Sequence, residues 1–366
     1  MFSVQDSHWM AHALRLAEQG LYSTSPNPRV GCVLVANGRI VGSGWHQRAG
    51  EAHAEVHALQ EAGKAARGAT AYVTLEPCSH HGRTPPCADA LISAGVARVI
   101  AAVADPNPLV AGAGSDKLRS AGISVEIGLM EAAARELNIG FFSRMTRGTP
   151  WLRSKIGMSL DGRTALANGV SKWITGEAAR CDVQHWRARS CAVLTGIDTV
   201  LADDARLNVR EIEGARQPLQ VILDSKLRMP LAARVLQGAK NGNVLIYTAT
   251  GNHNKSAALE KAGASVCVLP DDNGQVELHS MFRDLAQRGC NEVLVEAGST
   301  LNGALLRAGL TDELLLYIAP QLLGDMARGM AQLGELGSLD QSVKLKWRDM
   351  RQVGTDMRIM AKVENV

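Results

Sequence analysis

The chain has 366 residues, more than a single hydrophobic core usually spans, so two domains are expected. Apolar residues make up 46% and charged residues 20%, which suits a globular chain with a buried core. Aromatic residues at 4% and a net charge of +3 argue against a basic, base-stacking nucleic-acid binder and leave a phosphorylated small molecule open.

The first residues, Met1-Phe2-Ser3-Val4-Gln5-Asp6, lack the charged start and apolar stretch of a secretory signal. No apolar run is long enough to span a bilayer, so no membrane partner is expected. Seven scattered cysteines, an odd number, fit a reducing cytoplasm in which a few thiols bind metal and the rest are buried.

In chain order, helix and strand alternate without an internal repeat. Residues 6–20 read as a helix. Residues 30–36 and 40–45 read as two strands joined by the hairpin turn Asn37-Gly38. A helix over 52–64, a strand over 71–75 and a helix opened by the Pro-Pro-Cys run at 85–87 follow. Next come a strand over 96–103, a helix over 111–121 stopped by Gly122, and a helix over 129–145. The boundary falls near Arg147, dividing the chain into 1–146 and 147–366.

In the second part, strands are expected over 151–158, 192–196, 219–224, 243–248, 265–269 and 292–296. Helices are expected over 177–189 and 300–308. Two late strands, 312–318 and 356–363, are expected to lie antiparallel at the sheet edge. Both parts therefore read as α/β.

One constellation carries chemistry. His53-Ala54-Glu55 stands at a helix start, Pro77-Cys78 follows a strand, and Cys87 stands at the next helix start. Two thiolates and an imidazole suit zinc, and a catalytic zinc keeps one position for water. Nucleobase deaminases pair such a site with a glutamate that moves protons and does not ligate the metal. His53, Cys78 and Cys87 are thus the candidate ligands and Glu55 the candidate proton carrier. Residues i and i+2 do not share a face in mid-helix, so the His-x-Glu pair makes sense only at a helix N-terminus. A His-x-Glu pair alone arises by chance, and two cysteines alone can be buried apolar thiols; the combination is what points to a site. His57 stands one turn after His53, but the glutamate is misplaced for a metalloprotease, and His57 reads as a packing residue. Eight residues separate Cys78 from Cys87, where deaminases often have two.

The second part alone reads as an α/β domain with room for a nucleotide, and Gly298 by itself fits a plain strand–helix turn equally well. Residues 293–301 read as strand, tight turn and helix start, with Glu296-Ala297-Gly298 at the turn. Such a turn offers backbone N–H groups to a phosphate, although neither a dinucleotide fingerprint nor a P-loop is present.

Taken together, Pro26-Asn27-Pro28-Arg29-Val30-Gly31-Cys32-Val33, then His46, His53-Ala54-Glu55-Val56-His57-Ala58-Leu59 and the run Thr74 to Cys87 (TLEPCSHHGRTPPC) closely resemble the bifunctional riboflavin-biosynthesis deaminase/reductase family. The long spacer between the cysteines belongs to that family. The runs at 155–163, 171–175 and 196–204, with Glu296-Ala297-Gly298, look like its reductase domain. The resemblance implies a cytidine-deaminase-like first domain and a dihydrofolate-reductase-like second one. It implies removal of the 2-amino group of 2,5-diamino-6-(5-phosphoribosylamino)pyrimidin-4(3H)-one, then NADPH-dependent opening of the ribose to a ribityl chain. It also implies a homo-oligomer.

By the same resemblance, Asn27, His46, His80 and Arg83 surround the pyrimidine and its ribose phosphate. Gly157, Trp173, Thr199, Asp203, Ser225 and the turn Gly298, Ser299, Thr300, Leu301, Asn302, Gly303 and Ala304 line the NADPH site. Lys155, Ser171, Arg187, Leu207, Arg210 and Glu296 face substrate. Ring opening needs an acid. Lys155, Asp203 and Glu296 are candidates, with Asp203 favoured as catalytic or orienting. Asp161-Gly162 reads as a turn. Two other readings are a nucleic-acid base deaminase with an accessory domain and a zinc-stabilised scaffold. Low aromatic content disfavours the first, and a set of only three protein ligands the second.

Overall fold

The computed structural model describes residues 2–79, 85–107, 111–237, 239 and 242–364. The chain divides into two compact units, Met1–Thr149 and Pro150–Val366.

The first unit begins with helix α1 (Val4–Glu18), strands β1 (Gly31–Ala36) and β2 (Arg39–Trp45), helix α2 (Ala54–Ala62) and strand β3 (Thr70–Val73). It continues with α3 (Cys87–Ala94), β4 (Arg98–Ala101), α4 (Ala113–Ser120), β5 (Ser124–Ile127), α5 (Glu131–Leu137) and α6 (Ile139–Arg147). The sheet order is β2-β1-β3-β4-β5, with β1 antiparallel to both neighbours and β3, β4 and β5 parallel.

Alternation along β1 explains the layers. Val33 and Val35 pack with Met10, Leu14, Tyr72 and Phe141 on one face. Cys32 and Leu34 pack with Ala54, Ala58, Leu91 and Leu118 on the other. Helices therefore cover both faces. Asn37 and Gly38 both have positive φ, as a type I′ hairpin turn requires. Helix α2 lies hard against β2, because a Cβ on Gly44 would stand 2.5 Å from the Ala54 carbonyl oxygen. That contact fixes the N-terminus of α2, where His53 and Glu55 stand.

Two features differ from the sequence expectation. The helix expected over 129–145 is two helices, parted at Asn138. Its side chain accepts from the Arg29 N–H (2.8 Å) and donates to the Arg29 carbonyl (2.9 Å), a tertiary tie that overrides helical propensity. Strand β5, short and half-exposed at the sheet edge, had no clear period in the sequence.

The second unit opens with β6 (Trp151–Ser159), β7 (Arg163–Ala165), α7 (Glu177–Arg189), β8 (Ala192–Gly196) and α8 (Ile197–Asp203). Then come β9 (Leu219–Leu223), α9 (Arg234–Gln237), β10 (Val244–Thr248), α10 (His253–Lys261), β11 (Ala264–Val268) and α11 (Leu278–Gln287). It closes with β12 (Glu292–Val295), α12 (Ser299–Arg307), β13 (Glu313–Ala319), β14 (Arg328–Gly329), β15 (Lys344–Val353) and β16 (Asp356–Glu364).

Nine strands form one sheet in the order β11-β10-β9-β8-β12-β6-β13-β16-β15. From β11 to β13 all neighbours are parallel, and β16 runs antiparallel to both β13 and β15. The two late strands expected over 312–318 and 356–363 are antiparallel to one another, but neither is the edge, and 312–318 lies inside the sheet, parallel to β6 on its other side. The edge is β15, whose mostly exposed residues give it no period-two pattern. Parallel strands flanked by helices open a crevice at their C-terminal ends. Here Gly157 stands two residues before the end of β6, Gly196 ends β8 and Glu296 follows β12. Among the described residues, no helix is long and apolar enough to cross a membrane.

Candidate active sites

In the first unit the helix starts do the positioning. His53 is the N-cap of α2, in extended backbone conformation. Cys87 is the first residue of α3, with Pro86 as N-cap. His53 Nδ1 lies 3.2 Å from Cys87 Sγ and 3.6 Å from Cys78 Sγ. The three ligand atoms lie within 4.8 Å of one another. Ligands bound tetrahedrally to one zinc at 2.0–2.3 Å stand about 3.5 Å apart, so the cluster fits that ion. Contact with the Cys87 side chain outweighs burial and, with His53, pulls the Cys78 thiol down to about 4. This direction favours the Cys78 thiolate, the form that binds metal, while the same contact and burial push the Cys87 thiol up.

Glu55, in the first turn of α2, is 3% exposed. Burial and then the charge of Cys78 push its carboxyl up to about 6. A carboxyl raised this way can both take and release a proton near neutrality.

Asn27 and His46 join the same site. Asn27 Nδ2 is 3.1 Å from His46 Nε2. His46 Nδ1 is 3.1 Å from the Ala52 carbonyl oxygen, and the ring meets that of His53 edge-on at 5.3 Å between centroids. His46 is buried, which lowers its pKa. His57 stands outside the ligand cluster. His80 and Arg83 lie outside the described residues.

In the second unit, the side chains grouped by resemblance as facing substrate divide into two kinds. Glu296 follows β12 and pairs with Arg187 of α7 through two bonds, Nε to Oε1 at 2.5 Å and Nη2 to Oε2 at 2.8 Å. Arg187 Nη1 also donates to the Asn208 carbonyl (3.1 Å). Lys155 is close by on β6. Burial lowers its pKa and Glu296 opposes that shift. Gly157, two residues on, shares its face, with the Lys155 ammonium 3.6 Å from where a Cβ would be. Arg210 is exposed, and its backbone N–H donates to Gln184 (3.0 Å). Leu207 differs from the rest. Its side chain is packed in the core at 2% exposure and its φ is +56°, so only its backbone is left to meet a ligand.

Asp203 ends α8 and pairs with Lys172 at 2.9 Å, which ties α8 to the half-buried Ser171 and to Trp173. Trp173 is 68% exposed, with the Arg180 guanidinium 4.5 Å over its ring. Thr199 is half-buried in α8. Ser225 follows β9. Its hydroxyl accepts from the Val276 N–H (3.2 Å) and its carbonyl from Thr248 (3.2 Å).

The 298–304 turn also divides. Gly298 caps α12 with φ −79°, and a Cβ there would meet nothing within 4 Å. Neither strain nor crowding within the chain demands a glycine, so the open space beside Ser299, Thr300 and Leu301 is room for a ligand backbone. Asn302 instead donates to the carbonyls of Ala297 and Met330, both at 3.2 Å. A Cβ on Gly303 would stand 2.2 Å from the Gln332 carbonyl oxygen, and Ala304 is half-buried in the helix. These last three brace the turn. One glycine escaped the sequence reading. Gly196 caps α8 at the end of the neighbouring strand with φ −87° and only Leu301 near its Cβ position. Its signal was the same strand–glycine–helix pattern as at 298. Asp161 accepts from the N–H groups of Leu323 and Gly324 and braces a turn.

Residues 3–103 match the cytidine and deoxycytidylate deaminase zinc-binding region. Residues 150–359 match the RibD C-terminal domain. The chain belongs to the RibD family. Escherichia coli riboflavin biosynthesis protein RibD is 49% identical, with 97% of this chain and 98% of that protein aligned. The RibD protein of Aquifex aeolicus is 41% identical, with 98% of each aligned. Acinetobacter baumannii RibD superposes with a TM-score of 0.92 at 47% identity, covering 99% of each chain. A Thermotoga maritima diaminohydroxyphosphoribosylaminopyrimidine deaminase/5-amino-6-(5-phosphoribosylamino)uracil reductase gives 0.87 at 32% identity, covering 98% of this chain and 99% of that one. The RibD architecture accounts for both units: a cytidine-deaminase-like α/β/α layer and a reductase domain on a mixed sheet. The expected α/β class holds for each.

Proposed function

We propose that the chain catalyses two successive steps of riboflavin biosynthesis, one in each unit. The deaminase takes 2,5-diamino-6-(5-phosphoribosylamino)pyrimidin-4(3H)-one. The reductase turns the deaminated product into 5-amino-6-(5-phosphoribitylamino)uracil with NADPH. The observation that carries the reading is the convergence of His53, Cys78 and Cys87 beside the buried Glu55.

His53, Cys78 and Cys87 would hold the metal. Zinc there makes hydroxide available at neutral pH. Glu55 takes the proton of the attacking water and passes it to the ring nitrogen and the leaving amine. Asn27 orients the ring edge, supported by His46. His80 and Arg83 complete the grip on the ribose phosphate.

In the second unit, NADPH supplies the hydride for the ribosyl C1′. Gly196 and Gly298 begin helices at the ends of adjacent parallel strands, which gives the cofactor's phosphates two N-termini. Gly157, Trp173, Thr199 and Ser225 complete that site. Lys155, with its pKa lowered by burial, gives up a proton readily as the ring opens. Arg187 and Glu296 hold one another in place beside it. Ser171, Arg210 and the Leu207 backbone border the substrate. Asp203 acts as an orienting group through Lys172.

The enzyme is a homo-oligomer of the cytoplasm, a reading supported by the family resemblance and, for the compartment, by seven cysteines that form no disulfide. The test is ammonia release from the diaminopyrimidine phosphate, with zinc content and a second, NADPH-dependent step measured on the same preparation. Ammonia without the second step would leave only the deaminase half standing.

A further inference from the structure

Glu76, two residues before Cys78, is 3% exposed and takes no part in the proposed chemistry. Its carboxylate is nonetheless fully engaged. Oε1 accepts from the Ser115 N–H (3.0 Å) and the Ser115 hydroxyl (2.9 Å). Oε2 accepts from the N–H groups of Asp105 (3.2 Å) and Gly112 (3.1 Å). Four donors match the four lone-pair sites of an ionised carboxylate.

Three of these donors, from Gly112 and Ser115, belong to the start of α4, and the fourth, the Asp105 N–H, lies in the segment between β4 and α4. Gly112 is its N-cap and offers no side-chain cap. Glu76, from a distant strand end, caps the helix in its place. The backbone closes the same contact. A Cβ on Gly114 would lie 1.9 Å from the Pro77 carbonyl oxygen, so the first turn of α4 presses on the peptide that leads into Cys78. On its other side Cys78 is held by α3: its carbonyl accepts from the Ala88 N–H (3.1 Å) and its sulfur from the Cys87 N–H (3.3 Å). The Pro77-Cys78 segment is thus clamped between two helix starts, and Glu76 is the polar half of one jaw.

We propose that Glu76 is a positioning residue of the deaminase centre, which sets Cys78 Sγ against His53 and Cys87 by anchoring the start of α4. The proposal rests on the zinc-deaminase reading above. Glutamine at this position has one oxygen and would turn its own N–H groups toward two of the four donors. Aspartate keeps the charge and falls short by one methylene.

The test uses the full-length chain with Glu76→Gln, Glu76→Asp and Ser115→Ala, the last removing one donor and keeping the carboxylate. Zinc affinity is measured by chelator competition. Thiolate-to-metal charge-transfer absorption is read on the cobalt-loaded protein. Deaminase kcat and KM are compared with the reductase rate on the deaminated product. Outer groups that orient metal ligands typically carry about 10–100-fold in affinity or activity. Glu76→Gln is therefore expected to weaken zinc binding and lower kcat by about tenfold or more, with KM and the reductase rate nearly unchanged. The charge-transfer band should weaken, Glu76→Asp should recover part of the loss, and Ser115→Ala should show a smaller loss of the same kind. Wild-type zinc affinity and kcat in Glu76→Gln would overturn the proposal. If that variant does not fold, unchanged zinc affinity in Ser115→Ala would do the same. A wild-type chain that binds no zinc would instead overturn the deaminase reading itself.

Discussion

Arg187 and Glu296 form a two-bond ion pair, 2.5 and 2.8 Å, with both side chains largely buried. By resemblance, Arg187 and Glu296 both face substrate. The structure commits the Arg187 guanidinium to a carboxylate, and Arg210 is an exposed cation nearby. Removing one member of a buried pair strands the other and costs about 3–5 kcal/mol. Glu296→Ala should therefore destabilise the second unit by an amount in that range, seen as a lower denaturation midpoint, and abolish NADPH oxidation. An unchanged midpoint would mean that the pair is open in solution.

Asp203 gives the opposite pattern. Its pair with Lys172 is exposed on both sides, and such pairs contribute only about 0–1 kcal/mol. Asp203→Asn should leave the melting temperature alone, slow hydride transfer and spare deamination. Unchanged NADPH oxidation in that variant would remove Asp203 from the site.

Glycines 298 and 303 separate ligand space from packing space. Gly298→Ala meets no protein atom. It should leave stability unchanged and weaken NADPH binding about tenfold, or 1.4 kcal/mol. Gly303→Ala runs into the Gln332 carbonyl and should destabilise the unit by about 1–3 kcal/mol. Isothermal titration and thermal melts on both variants decide it; equal effects would erase the distinction.

Much of the deaminase centre is legible because its parts are local. His53 and Glu55 share one helix start, and Cys78 and Cys87 share one strand–loop–helix passage. Helix α7 and strand β8 have clear periods and fall where the sequence places them. What is not legible is held by distant partners. The break at Asn138 depends on Arg29, 109 residues away. The Arg187–Glu296 pair also spans 109 residues, and the role of Glu76 depends on Ser115. Helix α8 begins on an uncapped glycine and runs only seven residues, too short for a periodic signal. Strand β15 faces solvent along most of its length.

The acid limb of stability should depend on Asp6. Burial alone would raise its carboxyl. The Ser3 amide, the Tyr72 hydroxyl, the Ser3 hydroxyl and Arg98 outweigh that and hold it well below the usual carboxylate range. A group with a depressed folded pKa adds stability above its unfolded value, about 4, and loses it as pH falls below that toward the folded value. Urea midpoints of the wild type should therefore drop more steeply below pH 4 than those of Asp6→Asn, and the two should converge in acid. Parallel curves would contradict the pairing.

The central claim is that Glu55 moves the protons at a three-ligand metal centre, and Glu55→Gln tests it most directly. Ammonia release from the diaminopyrimidine phosphate is measured beside zinc content and the reductase rate on the deaminated product. A lost general acid–base typically costs about 10²–10⁴-fold. The expected result is a loss of that size with one zinc retained and reduction intact. Full deamination by the zinc-loaded variant would contradict the account.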